Sequence, residues 1–199
     1  MKMAVLGGGE SGIGTALLGK VNGYEVFVSD NGIISDSYKQ VLINNDIQFE
    51  ENGHSESLLL SADVVMKSPG IPETVSIVQV LIDNGVSVIS EIEFATQFTT
   101  ALIVGITGSN GKTTTTMLTH HILNKEKFNV GIAGNIGKSY ALQVANDKYE
   151  MYVLELSSFQ LDGIKDFAPH IAIITNITPD HLDRYDYKLE SYIDSKFRI

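Results

Sequence analysis

Short apolar runs alternate with longer polar or mixed segments along the chain, and the alternation comes in two beats. In the first, the runs at residues 3–6, 25–29, 63–67 and 87–90, with a weaker one at 47–50, read as strands. The intervening segments at 12–22, 35–45 and 76–84 are each long enough for a helix. This is the rhythm of βαβ units building a parallel sheet covered on both faces. The rhythm restarts at 101–107, with further strands at 129–133, 151–156 and 170–175 and helices after Lys112 and Lys138. Each half opens on its own strand, glycine loop and helix, so a boundary is expected near residues 93–100. The expected fold class is α/β: a Rossmann-like parallel-sheet domain over 1–93, then the front part of a P-loop ATPase-like α/β domain over 94–199. The second half shows fewer strands than a phosphate-loop domain usually needs, so the chain reads as the front portion of a longer enzyme.

The start of the second beat carries the densest chemistry. Its apolar run ends in Gly108-Ser-Asn-Gly-Lys-Thr-Thr114, a strand feeding a glycine loop that opens a helix. Glycines let backbone N–H groups turn toward an anion, and a helix N-terminus adds partial positive charge. Gly108, Ser109, Asn110, Gly111, Thr113 and Thr114 are the expected cradle of a nucleoside triphosphate. Lys112 can reach the terminal phosphates, and the Thr113 hydroxyl is placed for Mg²⁺. The spacing departs from the usual phosphate loop, which wants a glycine five positions before Gly111, where Ile106 stands. The glycines fall at 105, 108 and 111 instead, which weighs against ordinary GTPases and ATPases. A Gly/Ser/Thr-rich turn with a chance lysine is the bland alternative, and the strand–loop–helix context disfavours it.

A second glycine loop stands at the first beat. Gly7-Gly-Gly-Glu-Ser-Gly12 satisfies G-x-G-x-x-G between a strand and a helix, and Asp30 follows near the spacing of a ribose-binding carboxylate. Alone, this suggests NAD and a dehydrogenase. The same geometry can hold the diphosphate of any nucleotide, or be only a tight turn. Ser68-Pro-Gly-Ile-Pro72, which contains Gly70, either lines the crevice at the strand ends or is a proline-stiffened loop.

Composition narrows the partners. The 199 residues carry a net charge of −10, which argues against broad electrostatic binding to nucleic acid or anionic membrane. Anionic substrates must then be held by local devices: glycine loops, helix N-termini, a few lysines and metal ions. The chain has 0 cysteines, which excludes disulfides, thiol catalysis and cysteine metal sites and fits a reducing cytoplasm. No apolar run approaches a membrane span, and the start has too short an apolar core for a signal peptide.

A further cluster follows the phosphate loop. Glu155 ends the 151–156 strand and is placed to bind a nucleotide's Mg²⁺, or is a solvent-exposed strand-end glutamate. His181 follows a proline turn after the 170–175 strand and gains weight only from its company. On a helix over 189–199, Leu189, Tyr192, Ile193 and Phe197 form one apolar face with Lys196 in its middle. Lys196 either snorkels from the helix edge or is buried with a depressed pKa, its free amine open to carbamylation by CO₂.

Five stretches bring these residues together: Gly105-Ile-Thr-Gly-Ser-Asn-Gly-Lys-Thr-Thr114, Gly134-Asn-Ile-Gly137, Glu155-Leu-Ser-Ser-Phe-Gln-Leu161, Asn176-Ile-Thr-Pro-Asp-His-Leu-Asp-Arg-Tyr185 and Ser195-Lys-Phe-Arg198. With Ser68-Pro-Gly-Ile71, they resemble the Mur ligases, ATP-dependent amide-forming enzymes of peptidoglycan precursor synthesis. The resemblance covers essentially the whole chain. The phosphate loop is common to that family and to folylpolyglutamate synthases, whereas the stretch at 155–161 favours the member that adds D-glutamate.

The resemblance implies a three-domain enzyme of which this chain holds the first domain and the front of the second. It implies ATP and two Mg²⁺ ions, one on Thr113 and Glu155 and one on His181 and a carbamylated Lys196. Lys112, Glu155, His181 and Lys196 become the expected catalytic set. Asn135, Ser157, Gln160 and His181 would line the muramoyl-alanine site, with Gly70 nearby, and Glu10, Ser11, Asp30 and Asn31 would surround the uridine end. The implied partners are UDP-N-acetylmuramoyl-L-alanine and D-glutamate, met by a cytoplasmic monomer without nucleic acid or membrane. Another Mur ligase or a folylpolyglutamate synthase is the alternative within enzymes. The chain by itself could also be a nucleotide-binding module without catalysis.

Overall fold

The computed structural model describes residues 1–146 and 149–199. The first sheet consists of β1 (Lys2–Leu6), β2 (Glu25–Ser29), β3 (Gln48–Glu50), β4 (Val64–Lys67) and β5 (Ser87–Ile89). All its strands are parallel, in the order β3-β2-β1-β4-β5. Met3, Val5, Val28 and Met66 face one side of it, against Ile13, Ala16 and Leu18 of α1 (Glu10–Val21). Ala4, Leu6 and Val65 face the other, against Leu59 of α3 (Glu56–Leu60) and Val78 and Leu81 of α4 (Ser76–Asp83). Burial on both faces is why β1 reads as a continuous apolar run rather than an alternating one. The remaining helix of this half, α2 (Asp36–Asn44), starts where the Ser35 hydroxyl accepts the Tyr38 N–H.

The second sheet contains β6 (Leu102–Thr107), β7 (Val130–Gly134), β8 (Met151–Glu155) and β9 (Ile171–Ile174), parallel in the order β7-β8-β6-β9. Around it lie α6 (Lys112–Lys125), α7 (Tyr140–Asn146), α8 (Ser158–Asp162), a 3₁₀ turn (Leu182–Tyr185) and α9 (Leu189–Lys196). In each sheet the chain departs from a central strand toward both sides. The crevices that such reversals open lie at the carboxyl ends of the strands, where open α/β sheets bind ligands. Both glycine loops stand there.

Residues 91–96, next to the expected boundary, form a helix, α5 (Glu91–Thr96), with Ile92, Phe94 and Ala95 buried. Phe94 meets Tyr24 edge-on at 5.6 Å, and one apolar cluster runs from α1 through α5 to Tyr140, Tyr152 and Leu154 around the second sheet. Glu93 ties this junction further, accepting the backbone N–H groups of Lys165, Asp166 and Phe167 at 2.8 to 3.2 Å.

One expectation is corrected. The helix predicted over 189–199 ends at Lys196, and only part of its predicted apolar face turns inward. Phe197 is 66% exposed and Leu189 38%, while Tyr192, Ser195 and Lys196 are buried. Hydrogen bonds set the facing: Ser195 Oγ donates to Ser158 O at 3.0 Å, and Tyr192 Oη lies 3.0 Å from Ser109 Oγ. Turning the helix toward these partners swings Phe197 to the far side and keeps Lys196 inside. Among the described residues, no helix is long and apolar enough to cross a membrane.

Candidate active site

At the first loop, Gly7 has φ +97°, and a Cβ there would lie 2.6 Å from Ser68 Oγ. Glycine therefore lets the tip of β1 meet the 68–72 loop that follows β4. Gly12 serves helix packing, since its Cβ would fall 1.9 Å from Gly7 O. The Asp30 carboxylate braces the loop, accepting Gly8 N–H at 2.6 Å and Gly32 N–H at 2.7 Å. Asn31, Gly70 and Glu10 are exposed and Ser11 is half-buried. Glu10 also reaches the second half, where it accepts Ser139 N–H at 3.1 Å.

At the second loop, Gly111 has φ +79° and caps α6, so the N–H groups of Lys112, Thr113 and Thr114 open the helix without intrahelical acceptors. Gly108 is confined more tightly, with φ +144° and Thr175 Oγ1 2.0 Å from where a Cβ would be. The Lys112 ammonium folds back on the loop, donating to Gly108 O at 2.8 Å and Ser109 O at 3.0 Å. The Thr113 and Thr114 side chains are exposed. Ser109 and Asn110 are engaged from behind: their N–H groups donate to Asn176 O and Asn176 Oδ1 at 3.0 and 2.9 Å. Ser109 Oγ donates to Thr178 O at 2.8 Å, so the turn after β9 is the scaffold of this loop. Asn176 opens one of the stretches that carry the resemblance, where it has no role of its own assigned. The signal it offered was its place at the tip of a strand leading from the sheet that carries the loop.

Register brings the carboxylate to the phosphate loop. β8 pairs with β6 so that Glu155 lies opposite Ile106, two residues before Gly108. Glu155 is 1% exposed; its Oε1 accepts Asn135 Nδ2 at 2.8 Å, and its Oε2 is buried with no hydrogen-bond partner. A buried carboxylate oxygen left bare is costly, and a hard cation is the partner that chemistry would supply. Among the described residues no group of three or more acidic or histidine side chains converges on a metal position. A cation beside Glu155 would thus complete its shell from hydroxyl, phosphate or water oxygens.

Lys196 is 1% exposed and donates to Gly108 O at 3.0 Å, the carbonyl that Lys112 also holds. Its ammonium sits 4.6 Å from the centre of the Tyr192 ring. Burial, and then the neighbouring Lys112 charge, push its pKa down to about 8. Ser157 and Gln160 are occupied with each other, closing a capping box at the start of α8. His181 adopts a left-handed conformation, is exposed, and lies 3.6 Å from Asp180 and 5.3 Å from the Phe159 ring. A cavity of about 750 Å³ separates this turn from the 68–72 loop, lined by Lys67, Phe159, Asp162, Arg184 and Tyr185 among others. Lys67 is buried there, donates to Ile71 O at 2.7 Å, and has a pKa lowered by burial.

The structure therefore brings Lys112, Lys196 and the phosphate loop together, and joins Asn135 to Glu155. His181 lies on the turn after β9 that scaffolds the loop.

Comparison with known proteins fits this arrangement. Residues 2–77 match the MurD N-terminal domain and residues 106–199 the Mur ligase middle domain. The UDP-N-acetylmuramoylalanine--D-glutamate ligase of Christiangramia forsetii is 61% identical over 198 residues, covering 100% of this chain and 44% of the relative. The ligase of the same name from Bacteroides thetaiotaomicron is 55% identical, with 100% and 45% covered. The chain thus spans a little under half the length of these curated relatives. Among solved structures, a UDP-N-acetylmuramate:L-alanyl-gamma-D-glutamyl-meso-diaminopimelate ligase from Neisseria meningitides superposes with TM-score 0.63 at 20% identity, covering 99% of this chain and 67% of that one. The UDP-N-acetylmuramate-alanine ligase MurC of Thermotoga maritima gives 0.60 at 22% identity, covering 98% and 46%. These two likenesses concern the fold alone. With one family domain matched on each sheet, the chain belongs to the Mur ligases, a MurD-type N-terminal domain leading into a Mur ligase middle domain.

Proposed function

We propose that this chain is the nucleotide-binding half of a ligase that joins D-glutamate to UDP-N-acetylmuramoyl-L-alanine at the expense of ATP. The observation that carries the reading is the bare buried oxygen of Glu155 beside a glycine loop on which two lysine ammonium groups converge. In this reading residues 1–93 hold the UDP end of the substrate, through Glu10, Ser11, Asp30, Asn31 and Gly70, and residues 94–199 hold ATP.

The difficulty of the reaction is electrostatic. The alanine carboxylate of the substrate must approach a γ-phosphate that is also anionic. Lys112 exchanges the carbonyls of Gly108 and Ser109 for phosphate oxygens, and the helix N–H groups of Lys112, Thr113 and Thr114 bind alongside. Thr113 and Glu155 would hold one Mg²⁺, and His181 with a carbamylated Lys196 the other. Bound there, Mg²⁺ supplies charge neutralisation to the phosphate oxygens. Asn135 keeps Glu155 aimed by its 2.8 Å hydrogen bond and, with Ser157 and Gln160, lines the muramoyl-alanine site. Transfer of the γ-phosphoryl group gives an acyl phosphate, whose carbonyl the D-glutamate amine attacks. A C–N bond forms, the C–O bond to phosphate breaks, and inorganic phosphate leaves.

A protein continued to the relatives' length should release phosphate from ATP only when both UDP-N-acetylmuramoyl-L-alanine and D-glutamate are supplied. Turnover with L-glutamate and a folate, or hydride transfer with NAD, would contradict the reading.

A further inference from the structure

Glu91, the first residue of α5, is a carboxylate with no place in the chemistry above, yet it is 1% exposed at the meeting of the two sheets. Its Oε1 accepts the Ser139 hydroxyl at 2.5 Å and the Ala141 N–H at 3.0 Å. Ser139 Oγ in turn accepts the Leu142 N–H at 3.1 Å. A side chain of α5 thus caps the opening turn of α7 from outside. Glu10, at the start of α1, accepts the Ser139 N–H. The helix on which Glu10 sits is shaped for this approach, because a Cβ on Gly14 would lie 2.0 Å from Ser139 Oγ.

Ser139 closes the short loop that follows β7, and the other end of that loop is Asn135. There Asn135 N–H donates to Glu155 O at 2.7 Å and its side chain to Glu155 Oε1. One loop of five residues is therefore pinned at one end to Glu155 and at the other to Glu91 and the first glycine loop.

We propose that Glu91 is a positioning residue: by capping α7 across the junction it fixes the 135–139 loop between the first glycine loop and Glu155. The proposal rests on the functional reading above for what the loop serves, but the pinning itself does not. The titratable groups facing Glu91 are Glu10 from α1 and Tyr140 from α7. No cation forms an ion pair with it among the described residues, and the Ser11 hydroxyl of α1 is a further polar neighbour. Burial raises the Glu91 pKa above the usual carboxylate range, against hydrogen bonds from Ser139, Ser11 and Ala141 and with a smaller push from the Glu10 charge. Its proton is therefore held more tightly in the folded chain than in the unfolded one. The stability this contributes is complete below the ordinary carboxylate pKa and is lost as pH rises through the folded value.

Three variants of this chain test the idea. Glu91→Gln keeps an acceptor for Ser139 and Ala141 but cannot titrate, so it should retain wild-type hydrogen-exchange protection at Ala141 and Leu142. Its melting temperature should also lose part of the fall expected of the wild type as pH rises above the ordinary carboxylate value of 4.5. Glu91→Leu removes the acceptor and should lower protection of those amides about tenfold, and weaken UDP-N-acetylmuramoyl-L-alanine binding by a similar factor. Ser139→Ala, which keeps Glu91 itself, should lower the same protection and guards against a Glu91→Leu chain that fails to fold. Unchanged protection in both Glu91→Leu and Ser139→Ala overturns the proposal. Failure of the wild type to bind the UDP sugar would instead count against the functional reading and leave the exchange result to judge the pinning.

Discussion

Lys112 and Lys196 donate to one carbonyl, Gly108 O, so each ammonium raises the cost of the other. Lys112→Ala should weaken Mg-ATP binding roughly tenfold to a hundredfold, read by calorimetric titration; unaltered affinity would place the phosphates elsewhere. Lys196 has a folded pKa of about 8 against 10.5 for an ordinary lysine. Between those values the unfolded chain takes up a proton that the folded chain refuses, so stability falls as pH drops from 10.5 to 8 and the loss is complete below 8. Relative to Lys196→Met, the wild-type melting temperature should rise as pH is raised across that window. A difference that stays flat would mean the amine is not held as the geometry implies. Sequence periodicity placed Lys196 among apolar neighbours but left snorkelling and burial open; the structure buries it. Periodicity could not reveal the Gly108 carbonyl as partner, since that contact joins residues far apart in the chain. The Ser157-x-x-Gln160 spacing, by contrast, is a capping-box signature, and the structure closes it.

The helices carry their own conflict between local and tertiary preference. Gly14 lies inside α1, where exchange for alanine normally gains about 1 kcal/mol of helix stability. Here the new methyl would meet Ser139 Oγ at 2.0 Å and Leu142 N at 2.9 Å, and overpacking of that kind costs about 1 to 3 kcal/mol. Packing should win, so Gly14→Ala should lower the urea midpoint; a raised midpoint would mean α1 and α7 can part without penalty. The strands and long helices were legible because each pairs a continuous apolar run or a 3.6-residue pattern with a clear breaker. The short helices α3, α5 and α8 offer only a turn or so of pattern, too little to separate from a loop. Leu189 and Phe197 of the predicted α9 face lie outside because side-chain hydrogen bonds to Ser158 O and to Ser109 help decide which way the helix turns.

The two sheets are not independent bodies in energetic terms. A single apolar cluster includes Ile13 and Leu18 from α1, Phe94 from α5, and Tyr140 and Leu154 from the second half. Thermal unfolding should accordingly be one cooperative transition by both far-UV and near-UV signals; two resolved transitions would contradict the shared core. Each docked half carries one glycine loop, one for the UDP end and one for ATP in the proposed reaction. That division of labour is the central claim, and one calorimetric titration tests it most directly: UDP-N-acetylmuramoyl-L-alanine into this chain, with NAD as the competing ligand. The account predicts saturable binding of one UDP sugar per chain and no heat from NAD. Binding of NAD with no response to the UDP sugar would contradict it.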